Sequence, residues 1–143
     1  ITTFIFSCQT TKSTTAEKQP ETKEATQENT IIGKWRLIKT SGGFTGRTQN
    51  QSPNQVEILE FTSTEMIHIS NGKETSRVKY TLGKGKSIHS TNQVPMIFIG
   101  ENTTKGQSYT LDGNTLGISQ EFYDGFYYTY IKIGKNDDGL LKQ

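Results

Sequence analysis

The sequence predicts an all-β protein: an eight-stranded up-and-down antiparallel barrel preceded by a disordered tether. Three observations carry this expectation. From residue 31 the chain reads as eight short strand-like runs with turn signals between them, several alternating apolar and polar residues with a period of two. Asn71-Gly72 and Asp112-Gly113-Asn114 separate neighbouring runs, and hairpin turns need such residues because they accept positive φ. No segment sustains an apolar stripe at helical spacing with caps at its ends, so no long helix is expected. Closing the sheet would remove the exposed edges that invite aggregation. A two-sheet sandwich is the alternative arrangement of the same strands.

The domain begins near residue 31. All 14 glycines lie at or beyond Gly33, and 12 of the 14 aromatics lie at or beyond Trp35. Strands are expected over Lys34–Thr40, Gln55–Thr62, Glu65–Ser70 and Glu74–Leu82. Four more follow over Pro95–Ile99, Gln107–Leu111, Thr115–Ser119 and Gly125–Gly134. Ser41–Asn54 reads as a polar, Gly-rich loop, and Gly83-Lys84-Gly85-Lys86 as a turn between strands. The domain spans 31–135, and 136–143 reads as a flexible tail.

Alternation assigns faces. Trp35 and Leu37 share one side, with Lys34 and Arg36 opposite. Leu59 and Phe61 share a side, with Glu60 opposite. Val78, Tyr80 and Leu82 alternate with Arg77, Lys79 and Thr81. Tyr109 goes with Leu111, and Leu116 with Ile118. The last strand is apolar on both faces, with Phe126, Tyr128 and Tyr130 on one and Tyr127, Ile131 and Ile133 on the other. Pattern alone does not orient it.

Composition narrows function. Sixteen Lys plus Arg stand against 14 Asp plus Glu, a net charge of +2. That balance offers no basic stripe for gripping nucleic acid. One Cys excludes an intrachain disulfide and a Cys-based zinc cluster, and two histidines exclude multi-His metal sites. No nucleophile elbow, Cys–His pair or phosphate-cradling glycine loop occurs. Glu57, Glu60, Glu121 and Asp124 read as isolated, solvated carboxylates, and His68 as a strand residue without a partner. Neither catalysis nor a cofactor or metal is expected.

The N-terminal segment suggests placement. Ile5-Phe6-Ser7-Cys8 resembles a bacterial lipobox, in which the Cys sulfur takes a diacylglycerol and becomes the first residue of the mature chain. On this reading residues 1–8 are the remnant of a lipoprotein signal and Cys8 is the lipidation site. Residues 9–30 hold seven Thr, no aromatic residue and, Pro20 aside, no aliphatic side chain larger than Ala. Such a segment cannot bury enough surface to offset its ordering entropy, so it is expected to be a disordered linker. Its 22 residues would reach about 25 Å on average. The expected location is the bacterial cell envelope, lipid-anchored, on the periplasmic face of the outer membrane.

Gly33-Lys34-Trp35 resembles the Gly-x-Trp start of the first strand in lipocalins and related calycins. Tyr109–Leu116 and Tyr128–Ile133 resemble the final strands of small bacterial lipocalin-like lipoproteins. The resemblance covers about residues 31–135. It implies that Gly33 lets the chain approach closely at the closed end, that Trp35 plugs that end, and that Lys132 packs across the Trp where lipocalins usually place Arg. It further implies a small hydrophobic or amphipathic ligand held inside without catalysis. The candidate lining residues are Trp35, Phe61, Tyr80, Phe98, Tyr109 and Tyr128. The same residues could instead fill the interior as core. The alternative function is then a structural or protein-interaction lipoprotein with no small ligand. The sequence does not fix the oligomeric state.

Overall fold

A computed structural model describes residues 30–101 and 105–139. Among them are β1 (Gly33–Gly42), β2 (Arg47–Asn50), β3 (Glu57–Phe61), β4 (Glu65–Ser70), β5 (Lys73–Lys86), β6 (Gln93–Ile99), β7 (Gly106–Asp112), β8 (Thr115–Gln120) and β9 (Phe126–Ile133). All pairings are antiparallel, and the β1–β9 pairing closes an up-and-down barrel from every strand except β2. Eight strands close the barrel, as expected; the ninth, β2, is an addition.

That addition corrects the reading of Ser41–Asn54 as loop. Arg47–Asn50 pairs with Lys39–Gly42, on the edge of β1 that Gly33–Arg36 offers to β3. All four β2 residues are exposed, so burial leaves no apolar mark in the sequence. The Gly83–Lys86 stretch is likewise not a turn: it is the end of β5. The first half of β5 pairs with β4 and the second half with β6, a stagger typical of barrel closure.

The Asn71-Gly72 hairpin forms as expected, with φ of 48° and 81° at the two positions. Asn71 also ties the turn to the chain before β3: its Oδ1 accepts from Val56 N–H and its own N–H donates to the Val56 carbonyl, both at 2.8 Å.

Register runs one face continuously around the barrel. Trp35 opposes Leu59, Phe61 opposes Met66, and Met66 opposes Val78. Tyr109 then opposes Ile118, which opposes Tyr128, and Tyr130 returns to Leu37. These inward side chains form the main core cluster with Ile31, Tyr80, Ile97 and Leu116. β9 is thereby oriented, with Tyr128 and Tyr130 inward.

A second apolar layer lies outside the barrel. Val56, Ile58 and Ile67 are buried although register turns Ile58 and Ile67 away from the interior. Gly139 covers part of it; a Cβ there would stand 2.8 Å from Val56 Cγ1 and 3.1 Å from Ile58 Cδ1. The boundary expected at residue 136 is therefore no structural break. A turn from Gly134 to Asp137 leads the chain back onto β3, and Asp137 Oδ1 accepts from Gly139 N–H at 2.7 Å.

Candidate functional site

Five of the six expected lining residues converge in the barrel, and their chemistry is mostly consumed by packing. Trp35 is fully buried near the start of β1. Its Nε1–H donates to the Ile31 carbonyl at 2.7 Å, which satisfies the indole. Lys132, its cross-strand partner on β9, places Nζ 5.2 Å from the ring centroid, a cation–π distance. Gly33 has φ of 131°, and a Cβ there would lie 3.2 Å from Lys132 Cε. The glycine thus serves both the backbone conformation and the lysine stem. Phe61 meets Tyr80 edge-on at 5.1 Å, and the Tyr80 hydroxyl donates to the Thr62 carbonyl at 2.5 Å.

Phe98 is not in the interior. Ile97 is fully buried in the core cluster, so alternation turns Phe98 outward. There its ring lies against Gly83 on one neighbouring strand and Gly106 on the other. An apolar residue on each side of Ile97 hid this orientation in the sequence.

Toward the other end of the barrel, Tyr109 and Tyr128 are half-buried and make no hydrogen bond through their hydroxyls among the described residues. Burial raises the pKa of each, so both remain neutral donors near neutrality. Glu57, Ser70 and His68 share their inward face. Ser70 Oγ donates to Glu57 Oε1 at 2.6 Å. Burial lowers the His68 pKa, and the Glu57 charge only partly opposes it. Counting by twos from Leu59 would have turned Glu57 inward; its charge argued for solvent instead. His68 makes no hydrogen bond to Glu57, so the two do not form an acid–base pair.

The outer wall holds a feature that the sequence did not disclose. Residues 87–92, between β5 and β6, fold back over this wall and are held by Glu121. Ile88 N–H donates to Glu121 Oε2 at 2.8 Å, and Ser108 Oγ donates to Oε1. Partial burial would raise the Glu121 pKa. Bonds from Ser108, Ile88 N–H and Ser87, with the His89 charge, outweigh it and hold the carboxyl below its usual range. Glu121 is therefore a bonded anchor, not the solvated carboxylate expected from its isolation in the sequence.

Two depressions flank this strap. One, of about 450 Å³, is lined by Ser87, His89, Pro95, Ser108 and Tyr127 among others. The larger is a groove of about 730 Å³ with Met96 and Phe98 on its floor and Ile88 and Phe122 at its sides. Gly85 and Gly106 carry no side chain, which lets Met96 and Phe98 lie across them. Met96 and Phe98 are buried, whereas Ile88 and Phe122 are about half exposed. Such an apolar recess falls within the size range of small-molecule sites.

Among the described residues no group of three or more His, Cys, Asp or Glu could hold a metal ion. Cys8 and the linker lie outside the described residues. No known protein family, no curated protein and no solved structure matches the chain. The closed eight-stranded antiparallel barrel is compatible with the lipocalin-like fold that Gly33-Lys34-Trp35 resembles.

Proposed function

We propose that this protein is a non-catalytic binding protein, tethered to an envelope membrane through a lipid on Cys8, that holds a small hydrophobic or amphipathic molecule. The site is the outer groove, not the barrel interior. The observation that carries this reading is the 730 Å³ recess floored by Met96 and Phe98. The interior fits a core better: Trp35, Phe61 and Tyr80 are buried in one cluster, and the Trp35 and Tyr80 polar atoms are already bonded.

The test is native mass spectrometry of the full chain purified gently from its own host, followed by uptake of apolar dyes. A small molecule released on denaturation supports the reading. Phe122→Ser and Ile88→Ser, both at exposed rim positions, should reduce dye uptake. Tyr109→Phe and Tyr128→Phe in the barrel should leave it unchanged. A clean apo mass with no dye uptake refutes small-molecule binding.

A protein-interaction role is the second reading, favoured by a different observation. Phe44 and Tyr123 are each 94% exposed, on the β1–β2 and β8–β9 turns. Those turns abut through a hydrogen bond from Gly43 N–H to the Gly125 carbonyl. An apo protein whose partner capture is lost in Phe44→Ser and Tyr123→Ser would support this role.

A further inference from the structure

We infer that the two aromatic turns at one end of the barrel dock on a lipid bilayer and set the orientation of the domain above it. This docking rests on the tether through Cys8 proposed above and adds a second, noncovalent contact to it. Gly42 pairs with Phe126 across β1 and β9, so the β1–β2 and β8–β9 turns leave the same end of the barrel, opposite the Trp35–Lys132 pair. Each turn closes on itself. Gly46 N–H donates to the Gly43 carbonyl at 3.0 Å, and Gly125 N–H donates to the Phe122 carbonyl at 2.9 Å. Phe44 and Tyr123 therefore hold the same position, the second residue of a hydrogen-bonded β-turn, and each is 94% exposed. The turns are also joined to each other. Gly43 N–H donates to the Gly125 carbonyl at 3.3 Å, and a Cβ on Gly43 would stand 2.8 Å from the Phe126 ring. Phe122 and Phe126, both about half exposed, complete a group of four rings on a preformed support.

A bilayer fits this group better than a protein surface does. The four rings expose about 600 Å² between them, less than the roughly 800 Å² that each partner commits to a stable protein interface. Aromatic side chains are favoured at the headgroup level, where ring and polar edge both find partners. Backbone groups that leave water need partners within the protein, and the two turn bonds supply part of that pairing. Asp124, next to Tyr123, limits the depth, because a carboxylate stays with the headgroups. Arg47, at the base of the other turn, balances its charge, so the attraction does not require anionic lipid. The tether permits the pose. The described chain starts beside Trp35, whose indole bonds the Ile31 carbonyl, at the far end from the tips. The ten residues of β1 span about 33 Å. The 22 residues from Gln9 to Thr30 extend to about 75 Å at most, so a lipid on Cys8 and the aromatic tips can enter one membrane. Tethering raises the local concentration of membrane around the tips, so a weak contact suffices. Phe122 also borders the outer groove, which this pose brings to the headgroup level.

The test uses the full chain carrying Cys8→Ser. It takes no lipid, so it reads the tips independently of the tether; the mass of the host-purified protein reports acylation separately. Partition into phosphatidylcholine vesicles is measured by sedimentation, at low and high salt. The chain should bind at both, since the contact is apolar. Adding Phe44→Ser and Tyr123→Ser together should lower the partition about tenfold, with the urea midpoint unchanged because both side chains are exposed. Phe44→Trp and Tyr123→Trp, made one at a time, report depth through quenching by lipids brominated at successive acyl positions. Each new Trp should be quenched most by the bromines nearest the headgroup. Trp35, fully buried at the other end, should stay unquenched in the Cys8→Ser parent. Equal partition of the parent and the double Ser variant would overturn the docking, as would unquenched Trp at both positions. Turns that bind a protein and leave the vesicles untouched would overturn it in favour of the protein-interaction role.

Discussion

Truncating Trp35 to Ala tests the account of the closed end most directly. The ring is fully buried, and removing a buried large aromatic costs about 3–5 kcal/mol in lost transfer energy and cavity formation. Within that sum, the Nε1–H bond to Ile31 contributes about 1 kcal/mol. The Lys132 contact at 5.2 Å contributes about 0.5–1 kcal/mol. Three variants should therefore rank in order. Trp35→Ala is worst, Trp35→Phe loses about 1–2 kcal/mol because the Ile31 carbonyl loses its donor, and Lys132→Met loses least because it keeps the stem. The assay is urea unfolding followed by far-UV circular dichroism, since Trp35 is the only Trp and its fluorescence disappears with it. With a slope of about 1.5 kcal/mol per molar, the Ala variant should shift the midpoint by about 2–3 M. A loss below about 1 kcal/mol for Trp35→Ala, or a larger loss for Lys132→Met, would refute the plug.

Further outcomes follow from the turns and the titratable groups. Gly46 has φ of 61° and a Cβ there would meet nothing within 4 Å, so Gly46→Ala should cost about 1 kcal/mol of backbone strain. Gly42 has φ of 102°, and a Cβ would meet the Gly125 carbonyl oxygen at 2.5 Å; Gly42→Ala should cost about 2 kcal/mol more, and equal midpoints for the two would refute the abutment of the turns. Glu121→Gln should reduce the protection of Ile88 N–H against hydrogen exchange, relative to the intrinsic rate at each pH, and lowering pH should reduce that protection in the parent. The folded carboxyl titrates below its ordinary 4.5, so its contribution is whole above that value and is lost as pH falls through the lower folded value. Unchanged Ile88 exchange in Glu121→Gln would sink the anchor. Tyr130 behaves in the opposite sense. Burial first, with the Tyr128 and Glu57 charges adding, raises its pKa above the ordinary 10. Its contribution is whole below that value and is lost as pH rises through the folded value. The alkaline fall of the urea midpoint should flatten in Tyr130→Phe; an identical fall in both proteins would contradict the burial.

The sequence disclosed the barrel because its signals were local. Asn71-Gly72 demanded a hairpin, and the Val78-Tyr80-Leu82 alternation marked a strand with one covered face. It missed β2 because Arg47–Asn50 is exposed on both faces, so burial left no apolar period to read. It misplaced Phe98 because Met96, Ile97, Phe98 and Ile99 are all apolar, and an unbroken run has no phase. The cause is visible in the fold: the strap and the Phe122 turn give the outer side of β6 its own cover, so both faces of that strand meet apolar neighbours. Glu121 was illegible for a related reason. Its partners on Ile88 and Ser108 are 33 and 13 residues away, and nothing in local pattern announces such contacts.

Placing the site on the wall has a consequence for how binding would work. A ligand deep in this barrel must displace the core packed around Trp35 and Phe61 or wait for strands to part. The pairing of β6 with β7 spans only Met96–Phe98 against Gly106–Ser108, yet Ile97 beneath it is fully buried, so parting that seam would expose core. The outer groove needs no such opening. Its yielding side is the strap, which Glu121 holds by hydrogen bonds at Ile88 and Ser87, and Ile88 itself is exposed. Releasing the strap disrupts a few bonds at a wet surface, each worth about 1 kcal/mol net. Ligand exchange would then be fast relative to unfolding, and the Trp35 plug and the groove would be thermodynamically separable. Trp35→Phe should lower stability without changing apolar-dye affinity per folded molecule, measured below the unfolding transition. A parallel loss of affinity would place the ligand back inside the barrel.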